Sequence, residues 1–364
     1  MTSAQTNPLT NPRTMAEGHH GTSQDVSPVL EVRGLSVSFA TESGTVSAVD
    51  NVDLTLAPGE IVGIVGESGC GKSVTAMSLA GLLPRSARVS GSVRLQGTEL
   101  IGAPESVLRA ARGRSIAYIF QEPMSSLNPV LSVGRQVGEV LQVHEGLSRK
   151  QARARAVELL TLVGIPSPLQ RVDNYPHQLS GGMRQRVMIA MAVACGPTVL
   201  VADEPTTALD VTVQAGILDV LRGLRDRLGT SILFITHDLG VIADVADRVV
   251  VMYAGRVVER APVDELFAHP QHQYTAGLLV ATPTPGRHAG TDRLQEIPGL
   301  VPVLSIQPDA CTFADRCPAA DAQCLGHAPA LSSDHDLAAL PADHLVACWH
   351  PSGDRSAEHQ EAGE

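Results

Sequence analysis

The sequence predicts an α/β protein whose core is a largely parallel β-sheet, and three features support that fold class. Short, β-branched apolar runs, such as Ile61–Val65 and Ser231–Ile235, have the length and composition of buried strands. Amphipathic segments such as Val211–Leu228, which Gly229 ends, predict helices between the strands. Polar or glycine-rich residues follow the strands directly, at the edge of the sheet where α/β proteins bind ligands.

Further elements are predicted along the chain from the same periodicities. Strands are expected at 30–39, 46–56, 116–120, 198–202, 248–253 and 256–259, with a small antiparallel sheet at 89–100. Helices are expected at 74–83, within 133–163, and at 187–195, 263–269 and 274–280.

The segment after Ile61–Val65 predicts a phosphate-binding loop. Its glycines reach backbone conformations that other residues avoid, so successive N–H groups can turn toward an anion. A lysine then reaches the β- and γ-phosphates of a nucleotide, and the next serine can ligate Mg²⁺ at the start of a helix. The loop has the form G-x-x-x-x-G-K-S and consists of Gly66, Glu67, Ser68, Gly69, Cys70, Gly71, Lys72 and Ser73.

Charge and composition exclude several classes of protein. The 364 residues include 27 Lys and Arg against 38 Asp and Glu, and the net charge of −11 argues against a nucleic-acid binder, which needs a basic face. Residues 1–28 are polar and predict a disordered arm, not a secretory signal or a membrane anchor, and the tail 351–364 is also predicted to be disordered. Residues 187–202 are interrupted by Gly196-Pro197, so no transmembrane helix is predicted and any membrane association goes through a partner.

Polar side chains recur at the predicted strand ends. Asp203 and Glu204 follow a buried strand, where one carboxylate can bind the Mg²⁺ of a nucleotide and the other can orient or deprotonate an attacking water. Gln121 and His237 follow two other strands. Either alone is more often structural, but the repetition favours a functional role, with Glu204 as the catalytic residue.

A second anion site is predicted at the start of another helix. Ser180 is a good N-cap, and the two glycines that follow it offer free N–H groups. A capped helix with a flexible entry is an equal alternative for this segment taken alone. The run consists of Leu179, Ser180, Gly181, Gly182 and Met183.

Phe39 and the cysteines leave alternatives open. An aromatic ring ahead of the phosphate loop can stack on an adenine, but the pattern alone favours core packing for Phe39.

Six cysteines without a secretion signal indicate a reducing cytoplasm and no structural disulfides. Four of them lie in the Pro- and Gly-rich segment 283–350, where a four-thiolate metal site competes with four buried thiols. The x5 and x6 gaps fit neither the usual zinc-finger nor the bacterial ferredoxin pattern, and the four residues are Cys311, Cys317, Cys324 and Cys348.

Taken in order, these motifs resemble the nucleotide-binding subunits of ABC transporters over about residues 30–266. The resemblance implies a P-loop NTPase fold over 29–282, with a RecA-like parallel-sheet core, an antiparallel β subdomain, a helical subdomain at about 131–196, and a Cys-rich extension over 283–350. It implies ATP and Mg²⁺ as ligands. Phe39 would stack on the adenine, 66–73 would be the Walker A loop, and Ser73, Gln121 and Asp203 would serve Mg²⁺. Glu204, His237 and Gln121 would be catalytic, while Leu179 to Met183 and Asp210 would face the ATP of a partner subunit.

A narrower resemblance is to the ATPases of oligopeptide and dipeptide permeases. It rests on residues 121–129, the run Ile-Pro-Gly-Leu-Val-Pro at 297–302, and the cysteine spacing that follows. It implies an ATPase that drives peptide uptake at the cytoplasmic face of the cell membrane as a peripheral subunit. The partners implied are a second, related ATPase subunit, two permease subunits and an extracytoplasmic binding protein, with no nucleic acid. It also favours a [4Fe–4S] cluster over zinc at the four cysteines.

Two other functions remain as alternatives. Nickel and glutathione importers are close relatives of the peptide group. A soluble ABC ATPase of DNA repair or translation is disfavoured, because such proteins carry long insertions or two cassettes in one chain. Because residues 179–183, called the signature below, would serve a partner's nucleotide, the isolated chain is expected to bind ATP but to hydrolyse it poorly.

Overall fold

The structure, a computed structural model, describes residues 27–42, 44–121, 126–207, 209–282, 296–333 and 341–352. Most of the predicted disordered arm and tail lies outside these residues, as do residues 122–125 of the peptide-permease resemblance. The strands are β1 (Leu30–Thr41), β2 (Gly44–Leu56), β3 (Ile61–Val65), β4 (Ala87–Leu95), β5 (Thr98–Glu99), β6 (Ile116–Ile119), β7 (Val199–Asp203), β8 (Ser231–Ile235), β9 (Arg248–Tyr253), β10 (Arg256–Pro262) and β11 (Leu345–Val346).

The helices lie between and around these strands. They are α1 (Lys72–Leu79), α2 (Glu105–Ala111), α3 (Val133–Glu145), α4 (Arg149–Leu162), α5 (Pro168–Arg171), α6 (Gly181–Ala192), α7 (Val211–Leu228), α8 (Leu239–Val245), α9 (Val263–Ala268), α10 (Gln273–Ala281) and α11 (Ala322–Gly326), with 3-10 turns at Pro176–Gln178 and Ala314–Arg316.

A seven-stranded sheet forms the centre of the molecule, in the order β11-β10-β9-β3-β8-β7-β6. The five strands from β9 to β6 are parallel, while β10 and β11 add antiparallel at one edge. The predicted parallel-sheet core is therefore confirmed.

Both faces of this sheet are buried, which explains why its strands are continuously apolar. Ile61 and Val65 pack in one apolar core with the helices, whereas Val62 and Ile64 point into a second core beneath the antiparallel sheet. A strand buried on both sides has no polar face to alternate with, so the uninterrupted β-branched run is the expected pattern.

An antiparallel sheet of four strands, in the order β2-β1-β4-β5, covers the second core. Its longest pairing joins β1 and β2, and the register shifts near Leu35 and Val37 mark irregularities in that ladder. The predicted antiparallel β subdomain is thus present. The helices α3, α4, α5 and α6 pack together on the other face and correspond to the predicted helical subdomain.

Two predicted helices start earlier than expected. The helix predicted at 74–83 runs from Lys72 to Leu79, because Gly71 takes a left-handed conformation, with φ of 103°, that turns the loop directly into the helix. The helix predicted at 187–195 begins at Gly181, because the Ser180 hydroxyl accepts the Met183 N–H and caps it there.

The C-terminal extension is joined to the core sheet. Strand β11 pairs with β10, and the fully buried His344 places Nε2 2.7 Å from Glu259 Oε1. Arg256 of β10 donates to Asp50 at 2.8 Å and to the Ala310 carbonyl at 3.4 Å. The segment thus contributes an edge strand and buried polar contacts to the central fold.

None of the helices in the described part of the chain combines the length and the apolar character that crossing a membrane requires.

Candidate nucleotide-binding site

The phosphate loop connects the carboxyl end of β3 to α1, as predicted. Two of its glycines are required by close contacts. A Cβ on Gly66, which has φ of 149°, would lie 2.2 Å from the Met252 carbonyl oxygen, and one on Gly71 would lie 2.6 Å from the Ala48 oxygen. Only glycine fits both the space and the backbone conformation at these positions.

The lysine of the loop is turned inward. Lys72 is 6% exposed, and its ammonium donates to the carbonyl oxygens of Gly66 at 2.6 Å and Glu67 at 3.0 Å. These carbonyls hold the charge at the centre of the loop. Next to it, burial raises the pKa of the Cys70 thiol, although the charge of Lys72 opposes that shift.

The serine of the loop and the first strand-end carboxylate lie together. Ser73 Oγ donates to Asp203 Oδ1 at 3.1 Å, and the Tyr118 hydroxyl donates to Asp203 Oδ2 at 2.7 Å. Burial raises the pKa of Asp203, and the two hydrogen bonds reduce that rise. A hydroxyl and a carboxylate oxygen at this separation are the hard oxygen donors that suit Mg²⁺.

The second carboxylate is held by three polar side chains. Glu204 Oε2 accepts from Gln121 Nε2 and from Thr207 Oγ1, each at 2.8 Å, and Oε1 lies 3.3 Å from His237 Nδ1. Glu204 has φ of +48°, a conformation that non-glycine residues rarely adopt. Such backbone strain is concentrated at functional sites, where the surrounding contacts maintain it.

The three residues predicted at strand ends lie together in the structure. Gln121 follows β6, Glu204 follows β7 and His237 follows β8. The His237 side chain is 58% exposed and that of Glu204 is 15% exposed, so the carboxylate is sheltered on one side and open to a ligand on the other.

The signature residues lie at a different place in the fold. Ser180 is exposed at the start of α6, and Leu179 is buried beneath it. A Cβ on Gly182 would lie 2.4 Å from Val213 Cγ1, which explains this glycine by its approach to α7. Among the described residues, no hydrogen bond or ion pair joins 179–183 to the phosphate loop.

The remaining predicted residues have simple local roles in the structure. The Asp210 carboxylate accepts the Val213 N–H at 3.0 Å and so caps α7. Phe39 is partly buried in β1, where it packs against the second core. Stacking of Phe39 on an adenine stays a prediction.

The four C-terminal cysteines are near one another but do not form the compact group expected for one ion. Thiols of Cys311, Cys317 and Cys348 each interact electrostatically with at least one other of the four, and burial raises the pKa of all four, that of Cys348 to about 12. Within the described residues, one group of three or more such ligand atoms lies within 4.8 Å, and it comprises Asp321, Cys324 and His350. Asp321 and His350 were not predicted.

Sequence patterns also missed four residues that contact the site. Tyr118 lies inside an apolar strand, and Thr207 lies in a turn, where hydroxyls are common. No sequence motif marks Tyr274, yet its hydroxyl accepts the Glu67 N–H at 2.8 Å. Arg316 pairs with the Glu67 carboxylate from 249 residues away. The Cys-rich composition around Arg316 was the available signal, but it pointed to the thiols.

Comparison with known proteins agrees with this geometry. Residues 49–207 match the ABC transporter family, and residues 258–324 match the oligopeptide/dipeptide transporter C-terminal region. A Brucella abortus (strain 2308) protein named as a peptide import ATP-binding protein is 53% identical over 306 residues, covering 84% of this chain and 92% of that protein. The oligopeptide transport ATP-binding protein OppD of Mycobacterium tuberculosis is 51% identical over 324 residues, covering 89% of this chain and 52% of OppD.

Solved structures show the same fold. The ATP-binding cassette MJ0796, solved as a dimer in a post-hydrolysis state bound to ADP and Pi, matches with a TM-score of 0.58 and 28% identity, covering 64% of this chain and 98% of that one. The cassette cbiO1 of Clostridium perfringens, part of the transporter complex cbiONQ, matches with a TM-score of 0.56 and 29% identity, covering 66% of this chain and 91% of that one. With an ATP-binding loop, two strand-end carboxylates and this degree of similarity, the chain belongs to the ABC transporter family, as an ATP-binding protein with an oligopeptide/dipeptide transporter C-terminal region.

Proposed function

We propose that this chain is the ATP-hydrolysing subunit of an importer for dipeptides and oligopeptides. The observation that carries the proposal is the placement of Glu204, which Gln121, Thr207 and His237 hold beside the Ser73–Asp203 pair. The names of the relatives, peptide import and oligopeptide transport ATP-binding proteins, supply the transported class.

The loop residues 66–73 bind the phosphates of ATP in this proposal. Lys72 leaves the Gly66 and Glu67 carbonyls for the β- and γ-phosphates, and the N–H groups at the start of α1 face the same anion. Ser73, Asp203 and Gln121 would hold Mg²⁺, which bridges phosphate oxygens and neutralises their charge. Phe39 stacks on the adenine.

Glu204 acts on the attacking water. Its carboxylate orients the water and accepts its proton. His237 faces the γ-phosphate. Gln121 contacts Mg²⁺ or the water and couples the site to the permease subunits. The hydrogen bonds from Gln121 and Thr207 fix one carboxylate oxygen, which leaves the other, near His237, for the water.

A second ATPase subunit completes each site. Ser180, Gly181 and Gly182 present an exposed helix start, which favours an anion, and no described contact within the chain places it near 66–73. The dimeric arrangement of the related cassette MJ0796 supports this reading. Leu179, Met183 and Asp210 would shape the same surface, so the chain alone binds ATP but turns it over poorly.

Permease subunits place the chain at the cytoplasmic face of the membrane. An apolar groove beside the end of β6, where Phe120 is 46% exposed, is suited to a helix of such a permease subunit. Its apolar lining includes Leu82, Tyr118, Phe120, Val140, Met188 and Met191. The proposed complex also includes an extracytoplasmic binding protein and no nucleic acid.

The four cysteines would hold a [4Fe–4S] cluster in this proposal, with zinc as the alternative. Their mutual proximity and burial support a shared ligand. A tetrahedral zinc would bring thiolates to about 3.8 Å from one another, given zinc–sulfur bonds of about 2.3 Å. The four sulfurs form no group within 4.8 Å, which favours the larger cluster. The cluster would tie this segment together. Anaerobic purification with iron, sulfide and zinc analysis tests it, and zinc without iron would refute it.

Glu204→Gln tests the catalytic assignment. The variant should still bind ATP and accumulate as an ATP-loaded closed dimer by light scattering. In the assembled complex it should lose about 10² to 10⁴ in hydrolysis rate, the usual contribution of a general base. Turnover at the parent rate would show that Glu204 is not the base.

Phe120→Asp tests the membrane partner. The variant should bind ATP normally but no longer co-purify with permease subunits from detergent-solubilised membrane. Val143→Asp is the control, because Val143 is 72% exposed but lies outside the groove. Equal loss of the complex in both variants, or in neither, would contradict the groove assignment.

A further inference from the structure

Arg316 connects the C-terminal extension to the phosphate loop. It ends the short turn Ala314–Arg316, directly before Cys317, and its side chain is 6% exposed. Arg316 Nη1 donates to Glu67 Oε2 at 2.7 Å, and Nη2 donates to Glu67 Oε1 at 3.0 Å. This two-point geometry is the strong form of an arginine–carboxylate pair.

The guanidinium is held in place by the rest of the extension and by the core. Nε donates to the Pro298 carbonyl at 2.7 Å, and Nη2 donates to the Ile297 carbonyl at 3.1 Å. Its central carbon lies 5.6 Å from the centroid of the Tyr253 ring, within range of a cation–π interaction. Arg316 is therefore fixed before any ligand enters the loop.

Glu67 is held at three points as a result. Its N–H donates to the Tyr274 hydroxyl, its carbonyl accepts from Lys72, and its carboxylate binds Arg316. An unpaired carboxylate on this loop would repel the phosphates of ATP, because the two negative charges would lie close together in a partly buried place. Arg316 removes that repulsion and restrains the loop at the same time.

We propose that Arg316 is a positioning residue of the nucleotide site, so that the C-terminal extension is a working part of ATP binding and not an independent module. The inference rests on the proposed role of 66–73 as the phosphate loop. It requires that loss of Arg316 weaken ATP binding through Glu67, and that removing the Glu67 charge reverse much of the effect.

Equilibrium binding of a fluorescent ATP analogue with Mg²⁺ tests this in the full-length chain. Arg316→Ala should raise Kd by roughly ten-fold, within the usual range of coupling between sites. The double variant Glu67→Gln/Arg316→Ala should return to within about three-fold of Glu67→Gln alone, because the repulsion is gone. Arg316→Lys should fall between parent and Arg316→Ala, since lysine keeps the charge but not the fork.

Arg256→Ala is the matched control. Arg256 also joins the extension to the core, through Asp50 and the Ala310 carbonyl, and makes no described contact with 66–73. It should lower the thermal midpoint and leave Kd unchanged. If Arg316→Ala is recovered unfolded, Arg316→Lys with and without Glu67→Gln decides the matter by the same coupling.

The outcomes separate this inference from the proposed function. If the parent chain fails to bind ATP, or Lys72→Ala binds as well as the parent, the phosphate-loop assignment is wrong. If Lys72→Ala loses binding but Arg316→Ala binds like the parent, or Glu67→Gln gives no rescue, only the inference about Arg316 is overturned.

Discussion

The phosphate loop and the signature segment are both glycine-rich helix starts, but the chain treats them differently. The loop is enclosed: Lys72, Ser73 and Glu67 all have partners within the chain. The signature is open: Ser180 caps its own helix, and the glycines beside it face outward or approach α7. Contacts within the chain order the phosphate loop, whereas the signature leaves its backbone N–H donors exposed for a ligand or a partner.

This contrast indicates that the two glycine-rich motifs serve different steps, nucleotide binding and hydrolysis. A loop that must accept a highly charged ligand needs its backbone and its lysine fixed beforehand, because ordering them on binding would cost affinity. In the proposed dimer, the signature surface meets the nucleotide only when two subunits close, so it needs exposure more than restraint. The contrast predicts that substitutions at the two places affect different steps.

Lys72→Ala and Ser180→Arg separate binding from hydrolysis most sharply. Lys72→Ala should raise the Kd of the chain for ATP by two orders of magnitude or more, about 3 kcal/mol, because the loop loses the cation that meets the phosphates. Ser180→Arg should leave that Kd within about two-fold yet lower hydrolysis in the complex by roughly 10² to 10³, as expected when preorganised donors to a transition state are lost.

Direct titration of ATP and steady-state phosphate release measure the two effects. Leu169→Ala serves as the control in the helical subdomain, because Leu169 is 71% exposed and lies outside 179–183, and it should change neither value. A loss of ATP binding by the isolated Ser180→Arg chain would place both segments at one site within the chain and would break the contrast.

Gly182→Ala probes whether the signature glycine is there for packing as well as for an anion. The added Cβ would lie 2.4 Å from Val213 Cγ1, so α6 and α7 must separate slightly, at a cost of about 1–3 kcal/mol. Gly181→Ala is the matched control, since its nearest neighbour would be Leu209 Cδ2 at 3.9 Å. Chemical denaturation should show a lower midpoint for Gly182→Ala only, and equal midpoints would contradict the packing argument.

Asp203→Asn tests whether the buried carboxylate lowers the stability of the folded chain, and we expect the smallest change in stability for this variant. Burial raises the pKa of Asp203 above 3.8 in the folded chain, so the fold favours the protonated form. The stability that the protonated Asp203 contributes is complete below its unfolded pKa and is lost as pH rises through its folded pKa. The nucleotide-free variant should therefore be slightly more stable than the parent at pH 7, and the difference should shrink toward pH 4.

Glu99→Gln provides a control of opposite sign. Burial tends to raise the pKa of Glu99, but hydrogen bonds from the Ser92 side chain and the Val93 N–H outweigh it, so the pKa falls below 4.5. Its stabilising contribution is present above the unfolded pKa and is lost as pH falls. Thermal unfolding across pH should show Glu99→Gln less stable than the parent at pH 7. Parallel pH profiles for the two variants would contradict both assignments.

Where one local interaction dominates, the sequence predicted the structure to the residue. The strands Ser231–Ile235 and Arg248–Tyr253 are found with the expected bounds, because short apolar runs rich in β-branched residues favour strands that are buried on both faces. The cap at Ser180 followed from residue type in the same way. Helix ends were less predictable, because the φ of Gly71 and the contacts of the helix set them jointly.

Side-chain partners from distant parts of the chain were not predictable. Tyr118 contacts Asp203 only because β6 and β7 are neighbours in the sheet, and the alternation of a buried strand does not mark such a hydroxyl. The group of Asp321, Cys324 and His350 likewise depends on how the extension folds back, whereas cysteine spacing pointed only to the four thiols.

The sequence by itself determined the protein family and the nucleotide chemistry, because the phosphate loop, the paired carboxylates and the signature each consist of consecutive residues. Only the tertiary structure decided which side chains surround them. The pairing of Arg316 with Glu67 spans 249 positions, and it exists because the tertiary fold brings the C-terminal extension, which is joined to the sheet through β10 and β11, against the loop that follows β3. Local periodicity carries no information about such a contact, which depends on the order of strands in the sheet.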